Sequence, residues 1–91
     1  MRVTWSERKA QSNLRKHRVS FEEAVTALMD PAAITFFDEG EYEEEREITI
    51  GHSVRHRLLV VVHTERKGDV VRVISARKAT RKERHTYEAG I

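Results

Sequence analysis

The spacing of apolar residues changes once along the chain. Up to about position 30 they recur at intervals of three and four residues, which is typical of amphipathic helices; beyond it they alternate or run together, as in strands. After a short edge strand over residues 1–4, a helix capped by Ser6 is predicted to reach about residue 17, with Ala10, Leu14 and His17 on one face. A second helix is predicted to begin at Ser20, which forms a capping box with Glu23, and to end at the pair Asp30-Pro31.

Four strands and a last helix complete the predicted fold. The strands are expected over residues 33–37, 46–52, 57–64 and 70–75, separated by turns that contain Gly, Asp or both. Thr80 and Glu83 form a capping box that starts a helix ending at Gly90. The order β-α-α-β-β-β-β-α predicts one α+β domain over residues 1–91, with helices packed on a mainly antiparallel sheet of four to five strands.

The predicted central strand contains an unbroken apolar run, Leu58 to Val62. Such a run indicates a strand that is covered on both faces. A chain of 91 residues buries only roughly 60 to 65% of its unfolded surface, so added burial by a partner would matter. We therefore expect helices on one face of this strand and a partner subunit on the other.

Charge is distributed unevenly along the chain. Its 17 basic and 15 acidic residues give a formal net charge of +2. Seven of the acidic residues lie between positions 38 and 47, so the remainder of the chain holds sixteen basic against eight acidic residues, about +8. A basic body of this kind attracts polyanions through counterion release, and a nucleic acid is the expected partner.

Composition also excludes several classes of protein. The absence of cysteine excludes a disulfide framework and a thiolate metal site. The chain has no apolar run long enough for a membrane span and no hydrophobic N-terminal signal segment, so we expect a cytoplasmic protein without a membrane partner. His52 and His56 lie among arginines with no carboxylate to complete a ligand set, so neither a metal nor another cofactor is expected.

A basic stretch follows the last predicted strand. Arg77 and Lys78 lie just beyond it, and the next helix begins near Arg81. Guanidinium forks bind phosphate oxygens bidentately, and ammonium groups add point charge. Arg77 is therefore predicted to clamp a phosphate, with Lys78 and Arg81 beside it; a solvated basic helix end is the structural alternative.

The order of motifs resembles that of the BrnT family, which are ribonuclease toxins of bacterial type II toxin–antitoxin pairs. The matching pieces are Trp5, Asn13 to His17, Val19 to Ala24, Asp30-Pro31, Glu45-Arg46 with Ile50-Gly51, Leu58 to Glu65, and Ile74 to Thr80. The resemblance implies a RelE-like fold, RNA cleavage and silencing by a cognate antitoxin. It also implies that this antitoxin is a DNA-binding, BrnA-like protein and that the pair forms a hetero-oligomer.

The chain departs from the family pattern at three positions. Ser6 stands where relatives often have aspartate, and both residues cap helices. Arg18 stands where glycine is usual, so a positive φ there would cost on the order of 1 kcal/mol. His63 stands where many relatives have tyrosine, which bears on the chemistry.

RNA can be cleaved without a metal when a ribose 2′-hydroxyl attacks the adjacent phosphate, and this route needs a base, an acid and stabilising cations. We predict Arg77 and Arg57 as phosphate clamps, His63 as the base, His17 as the acid and Glu65 as a weaker acid–base candidate. Each also has a structural alternative. The arginines would pair with carboxylates or lie in a surface turn, the histidines would pack between helices or in a strand, and the glutamate would be a surface residue.

Further contacts with RNA are predicted around this set. Lys16 lies at the end of the first helix, where a helix C-terminus stabilises positive charge. Lys78 and Arg81 extend the basic stretch, and Tyr87 is a candidate for stacking on a base, although a tyrosine on a terminal helix also packs well.

The chain is thus expected to be a metal-independent endoribonuclease toxin that inhibits translation and growth until an antitoxin neutralises it. The alternative is a non-catalytic nucleic-acid-binding module that acts as a regulatory subunit with a DNA-binding partner. A purely structural partner-binding domain would explain the apolar strand and leave the basic stretch without a role. Cleavage or mere retardation of RNA by the protein distinguishes the first two.

Overall fold

The fold is built on a mixed five-stranded sheet. The computed structural model describes residues 1–90. Within this range the elements are β1 (Arg2–Thr4), α1 (Glu7–His17), α2 (Phe21–Leu28), β2 (Ile34–Asp38), β3 (Arg46–His52), β4 (Leu58–Arg66), β5 (Val70–Lys78) and α3 (Arg81–Ala89). The sheet order is β1-β5-β4-β3-β2, with β1 parallel to β5 and the other neighbours antiparallel. The predicted α+β class and element order are confirmed.

The first two helices begin where the sequence predicts. The Ser6 and Ser20 side chains accept backbone N–H groups at 3.3 and 3.0 Å and thereby cap α1 and α2. Between the helices Arg18 has φ 59°, a left-handed conformation that glycine adopts without cost. The carboxylate of Glu23 bonds to Arg57 instead of returning to the cap, so the predicted capping box at Ser20 is only half formed.

One face of the sheet packs against α1 and α2. Phe21 and neighbouring apolar residues of α2 are fully buried against Leu59 and Val61 of β4. A Cβ at Gly51 would collide with the carbonyl oxygen of Ala27, so the close approach of α2 to β3 requires glycine there.

The opposite face of the sheet is shared between α3 and an open region. Tyr87 of α3 and the adjacent Ala79 pack on Ile50, Leu58 and Val60. The apolar run of β4 is therefore covered on both faces, as predicted. Its second cover is α3 of the same chain, and the expectation of a partner subunit in that place was wrong, because the chain after β5 folds back across the sheet.

The β5 strand is longer than predicted. A register shift between Val62 and His63 absorbs an extra residue of β5, and pairing then continues to Arg77 opposite Val60 and Lys78 opposite Leu59. The prediction that Arg77 lies beyond the last strand was therefore wrong.

Asn13 of α1 closes the part of the β5 edge that β1 does not reach. Its Nδ2 donates to the carbonyl oxygens of Ala76 and Val19 at 2.8 and 2.9 Å, and its Oδ1 accepts the Ala76 N–H at 3.1 Å. Asn13 is buried, whereas Leu14 is 49% exposed and His17 is exposed. The predicted stripe of Ala10, Leu14 and His17 thus faces inward only at Ala10.

Candidate nucleic-acid interface

A basic groove opens on the face of the sheet that α3 leaves uncovered. Its floor is formed by alternate residues of β3, β4 and β5, and α1 and the segment over 39–45 form its sides. The groove has a volume of about 370 Å³. We call it the cationic groove; it is lined by Lys9, Tyr42, Glu43, Glu44, Arg46, Thr64, Arg66, Arg72 and Ile74.

Strand register places the cations together. Thr64 of β4 pairs with Arg72 of β5, and paired residues project to the same face of a sheet. Arg66 lies two residues beyond Thr64 and therefore projects to that face as well. The β4–β5 hairpin thus presents two guanidinium groups around one hydroxyl, and Arg46 joins them from β3.

Thr64 gives the floor of the groove an unusual polar group. The residue is only 2% exposed, and its Oγ1 has no hydrogen-bond partner within residues 1–90. A buried hydroxyl without a partner typically costs about 1 to 3 kcal/mol. The Thr64 oxygen is closed off from solvent, so a polar atom without a partner in the described range lies just beneath the floor of the groove.

The cationic groove continues between α1 and β5. A second hollow of about 180 Å³ shares Lys9 and Ile74 with it. Lys16, His17 and Ser75 also line this hollow. The structure thus brings the predicted residues Lys16 and His17 to one end of the groove.

Arg57, predicted as a phosphate clamp, is bound to Glu23. Its Nε donates to Glu23 Oε2 at 2.9 Å, and a terminal nitrogen bonds to Glu23 Oε1 and, at 3.0 Å, to the carbonyl oxygen of Arg18. The Glu23 side chain is 4% exposed, and the hydrogen bond from Arg57 holds its pKa below the ordinary value despite burial. In this arrangement Arg57 fastens the β3–β4 turn to α2.

Arg77 lies on the same face of the sheet as the cationic groove, nearer to α3. Its two terminal nitrogens each donate to a carboxylate oxygen of Glu83 at 2.8 Å. Glu83 also completes the predicted capping box with Thr80. The bonds from Arg77, the largest cause, lower the pKa of Glu83 to about 2. The Arg77 fork is thus occupied, while its side chain remains 42% exposed.

This ion pair predicts an acid-sensitive attachment of α3. Because the pKa of Glu83 is lowered, its contribution to stability is present above the ordinary value of 4.5 and is lost as the pH falls towards about 2. Glu83→Gln is expected to lower the unfolding free energy by roughly 0.5 to 1 kcal/mol at pH 7, the range of an exposed pair. Urea titrations of parent and variant should converge as the medium is acidified; a gap that is the same at every pH contradicts the assignment.

His63, predicted as the base, is buried on the opposite face. It is 5% exposed, and its Nε2 lies 2.8 Å from the hydroxyl of Thr49. Burial lowers the pKa of His63 and keeps the ring neutral near pH 7. Glu65 follows on the same face by strand alternation, so the sheet lies between these two residues and the cationic groove.

The other predicted RNA contacts lie towards the opposite end of β4. Lys78 lines a separate cleft with His56, Arg57 and Arg84. Arg81 is exposed at the start of α3. Tyr87 packs between α3 and the sheet, and its hydroxyl donates to Asp30 Oδ2 at 2.6 Å. This bond raises the pKa of Tyr87 to about 12.

Two further structural findings concern residues 1–90. No group of three His, Asp or Glu side chains in this range is placed to hold a metal ion. Within the same range, every helix is too short or too polar to cross a membrane.

Comparison with known proteins gives first a class and then a family. The class is that of the ribonuclease toxins of type II toxin–antitoxin systems. A family model described as "Ribonuclease toxin, BrnT, of type II toxin-antitoxin system" matches residues 5–83. The chain belongs to this BrnT family, and the predicted resemblance is confirmed. Membership implies an RNA substrate and a cognate antitoxin partner.

A solved structure supports the same assignment. The 1.1 Å crystal structure of the Brucella abortus ribonuclease toxin BrnT is similar to this chain with a TM-score of 0.69 and 25% sequence identity. The alignment covers 89% of this chain and 99% of the Brucella chain. No curated protein sequence matches the chain.

None of the nine residues that line the cationic groove was predicted from the sequence as a site residue; they include its four cations, Lys9, Arg46, Arg66 and Arg72, and Thr64. The sequence contains a signal for three of these residues, Thr64, Arg66 and Arg72. A tight turn at Lys67-Gly68-Asp69 sets Arg66 opposite Val70, and the register then places Arg72 opposite Thr64. Lys9 and Arg46 come from other elements, and only the packed structure shows that they join this set.

Proposed function

We propose that the protein is a metal-independent endoribonuclease that binds RNA in the cationic groove. The observation that carries this proposal is the set of cations, Lys9, Arg46, Arg66 and Arg72, that strand register and α1 place around one hollow on the open face of the sheet. Arg and Lys supply charge, and Arg supplies forked donors, for phosphate oxygens. The groove therefore suits the RNA backbone.

The proposed reaction is transfer within the RNA chain. The ribose 2′-oxygen forms a bond to the adjacent phosphorus, the bond from phosphorus to the 5′-oxygen breaks, and the products are a 2′,3′-cyclic phosphate and a 5′-hydroxyl. Arg72 and Lys9 stabilise the charge that develops on the phosphate oxygens. The 2′-hydroxyl loses its proton to solvent water as it attacks. His17, at one end of the groove, donates a proton to the leaving 5′-oxygen and regains one from solvent.

The predicted general base, His63, does not lie at the cationic groove. A base must come within hydrogen-bond reach of the 2′-hydroxyl, and His63 lies behind the sheet. This favours a second candidate function, RNA binding without cleavage. The two are distinguished by incubating the protein with RNA, since cleavage shortens the RNA and binding alone only retards it on a gel.

A chelator experiment tests the proposed mechanism. Cleavage of RNA is expected to continue in excess EDTA, because no step of the proposed chemistry requires a metal ion. The product should carry a 2′,3′-cyclic phosphate, or the monophosphate formed by its hydrolysis, which phosphatase and kinase treatment identifies. Cleavage that stops in EDTA and returns with magnesium contradicts the proposal.

We infer that the antitoxin is a DNA-binding, BrnA-like protein that forms a hetero-oligomer with this chain in the cytoplasm. Support comes from the family and from charge. The groove presents Lys9, Arg46, Arg66 and Arg72, and the end of α1 adds Lys16. An acidic or helical segment of the antitoxin would neutralise these cations and exclude RNA from the same surface.

A further inference from the structure

The acidic segment over 39–45 reaches into the cationic groove. Tyr42, Glu43 and Glu44 are among the residues that line it. A carboxylate oxygen of Glu44 lies 2.9 Å from a terminal nitrogen of Arg66. One of the groove's guanidinium groups is therefore bound to an anion that belongs to the protein.

Local contacts hold this segment in place. The Asp38 carboxylate accepts the Gly40 N–H at 3.0 Å and forms a tight turn at the end of β2. The Tyr42 ring packs against the Cα of Gly40, where a Cβ would collide with it. The guanidinium carbon of Arg46 lies 4.1 Å from the centre of the same ring, within the range of a cation–π contact. Tyr42 is thus held from two sides, and the two residues after it, Glu43 and Glu44, line the groove.

We propose that the Glu44 carboxylate occupies the site on Arg66 at which an RNA phosphate binds. Glu44 thereby lowers the affinity of the groove for RNA. The inference rests on the proposed function, since it takes RNA as the ligand of the groove. A carboxylate and a phosphate offer a guanidinium fork the same pair of acceptor oxygens. RNA that enters the groove must therefore displace Glu44 from Arg66.

The contact between these two residues is weak enough to be displaced. The side chains of Arg66 and Glu44 are 45% and 53% exposed. Exposed pairs of this kind contribute about 0.2 to 1 kcal/mol. Glu44 therefore weakens RNA binding without closing the groove.

Kinetics distinguish this role from participation in the reaction. Glu44 contacts Arg66 rather than the atoms that react, so its removal strengthens binding of substrate and transition state alike. Glu44→Gln is expected to lower KM for RNA roughly two- to fivefold with kcat unchanged. Glu41→Gln is the matched control, because it removes the same charge from the same segment at a residue that is not among those lining the groove.

Direct binding gives a second measurement that does not depend on cleavage. A 2′-O-methyl RNA lacks the attacking hydroxyl, and its Kd can be measured by fluorescence anisotropy at fixed salt. Glu44→Gln should tighten binding more than Glu41→Gln does. In an Arg66→Ala background the effect of Glu44→Gln should disappear, because the contact it removes is already lost.

Three results would overturn the inference. Equal changes in the Glu44 and Glu41 variants would show a general charge effect of the segment. An effect of Glu44→Gln that persists in the Arg66→Ala background would show that Glu44 does not act through Arg66. A fall in kcat would show that Glu44 takes part in the chemistry. Failure of the proposed function is recognised separately, because the parent protein would then neither cut RNA nor bind the 2′-O-methyl RNA.

Discussion

Replacing Arg57 with alanine is expected to destabilise the protein by about 3 kcal/mol, at the lower end of the range for breaking a buried ion pair. The variant leaves the carboxylate of Glu23, whose side chain is 4% exposed, without its main partner. A loss of this size is a large part of the 5 to 15 kcal/mol that typically stabilises a domain. Urea or thermal denaturation of the purified variant measures it.

Arg55→Ala is the matched control for this experiment. Arg55 lies 3.9 Å from the same carboxylate, but its side chain is 71% exposed, so its removal should cost less than about 1 kcal/mol. The Arg57 variant should also recover stability in mild acid, because burial then raises the pKa of the unpaired Glu23 and protonation removes its charge. An Arg57→Ala protein that is as stable as the parent but cuts RNA poorly would instead support the phosphate-clamp role predicted from the sequence.

Replacing Arg72 with alanine is expected to lower RNA cleavage by roughly a hundredfold to a thousandfold, the usual effect of removing one electrostatic contact with a transition state. Arg72 pairs with Thr64 across the β4–β5 hairpin and is half-buried at the floor of the cationic groove. Arg72→Lys should recover only part of the rate, since lysine keeps the charge and loses the fork. Single-turnover cleavage of a labelled RNA gives these rates.

Two further arginine variants are compared with Arg72→Ala. Arg15→Ala removes the same charge from an exposed position of α1 that is not among the groove residues, and its rate should stay within a few-fold of the parent. Arg77→Ala tests the phosphate site predicted from the sequence. If the groove holds the reacting phosphate, Arg72→Ala has the larger effect; a larger loss with Arg77→Ala moves the reacting phosphate towards α3 and contradicts our placement.

The sequence predicted the elements well because their signals are local. Capping serines, the stop at Asp30-Pro31 and the apolar run of β4 each depend on neighbouring residues, and the structure has them as expected. The end of β5 was predicted too early because its continuation depends on a register shift against β4, which no local pattern marks. The burial of Asn13 depends on a strand edge 63 residues away along the chain.

The site was harder to predict for a related reason. Arginines that share a basic stretch look equivalent in sequence, but Arg77 pairs with Glu83 in the first turn of α3, whereas Arg72 lines the groove. Arg57 lies near its carboxylate only because α2 packs beside the β3–β4 turn. Which cations remain available to a ligand is decided by tertiary pairing with carboxylates, and composition does not contain that information.

The contrast between the two edges of the sheet bears on how the protein behaves at high concentration. Asn13 satisfies both backbone groups of Ala76, so another chain cannot add a strand there without displacing α1. Among the described strands, β2 forms the other edge; it exposes Phe36 and Phe37, and its interior has no charged residue to deter pairing. Aggregation of the concentrated protein should therefore begin at β2, and Phe37→Lys is the change expected to reduce it most.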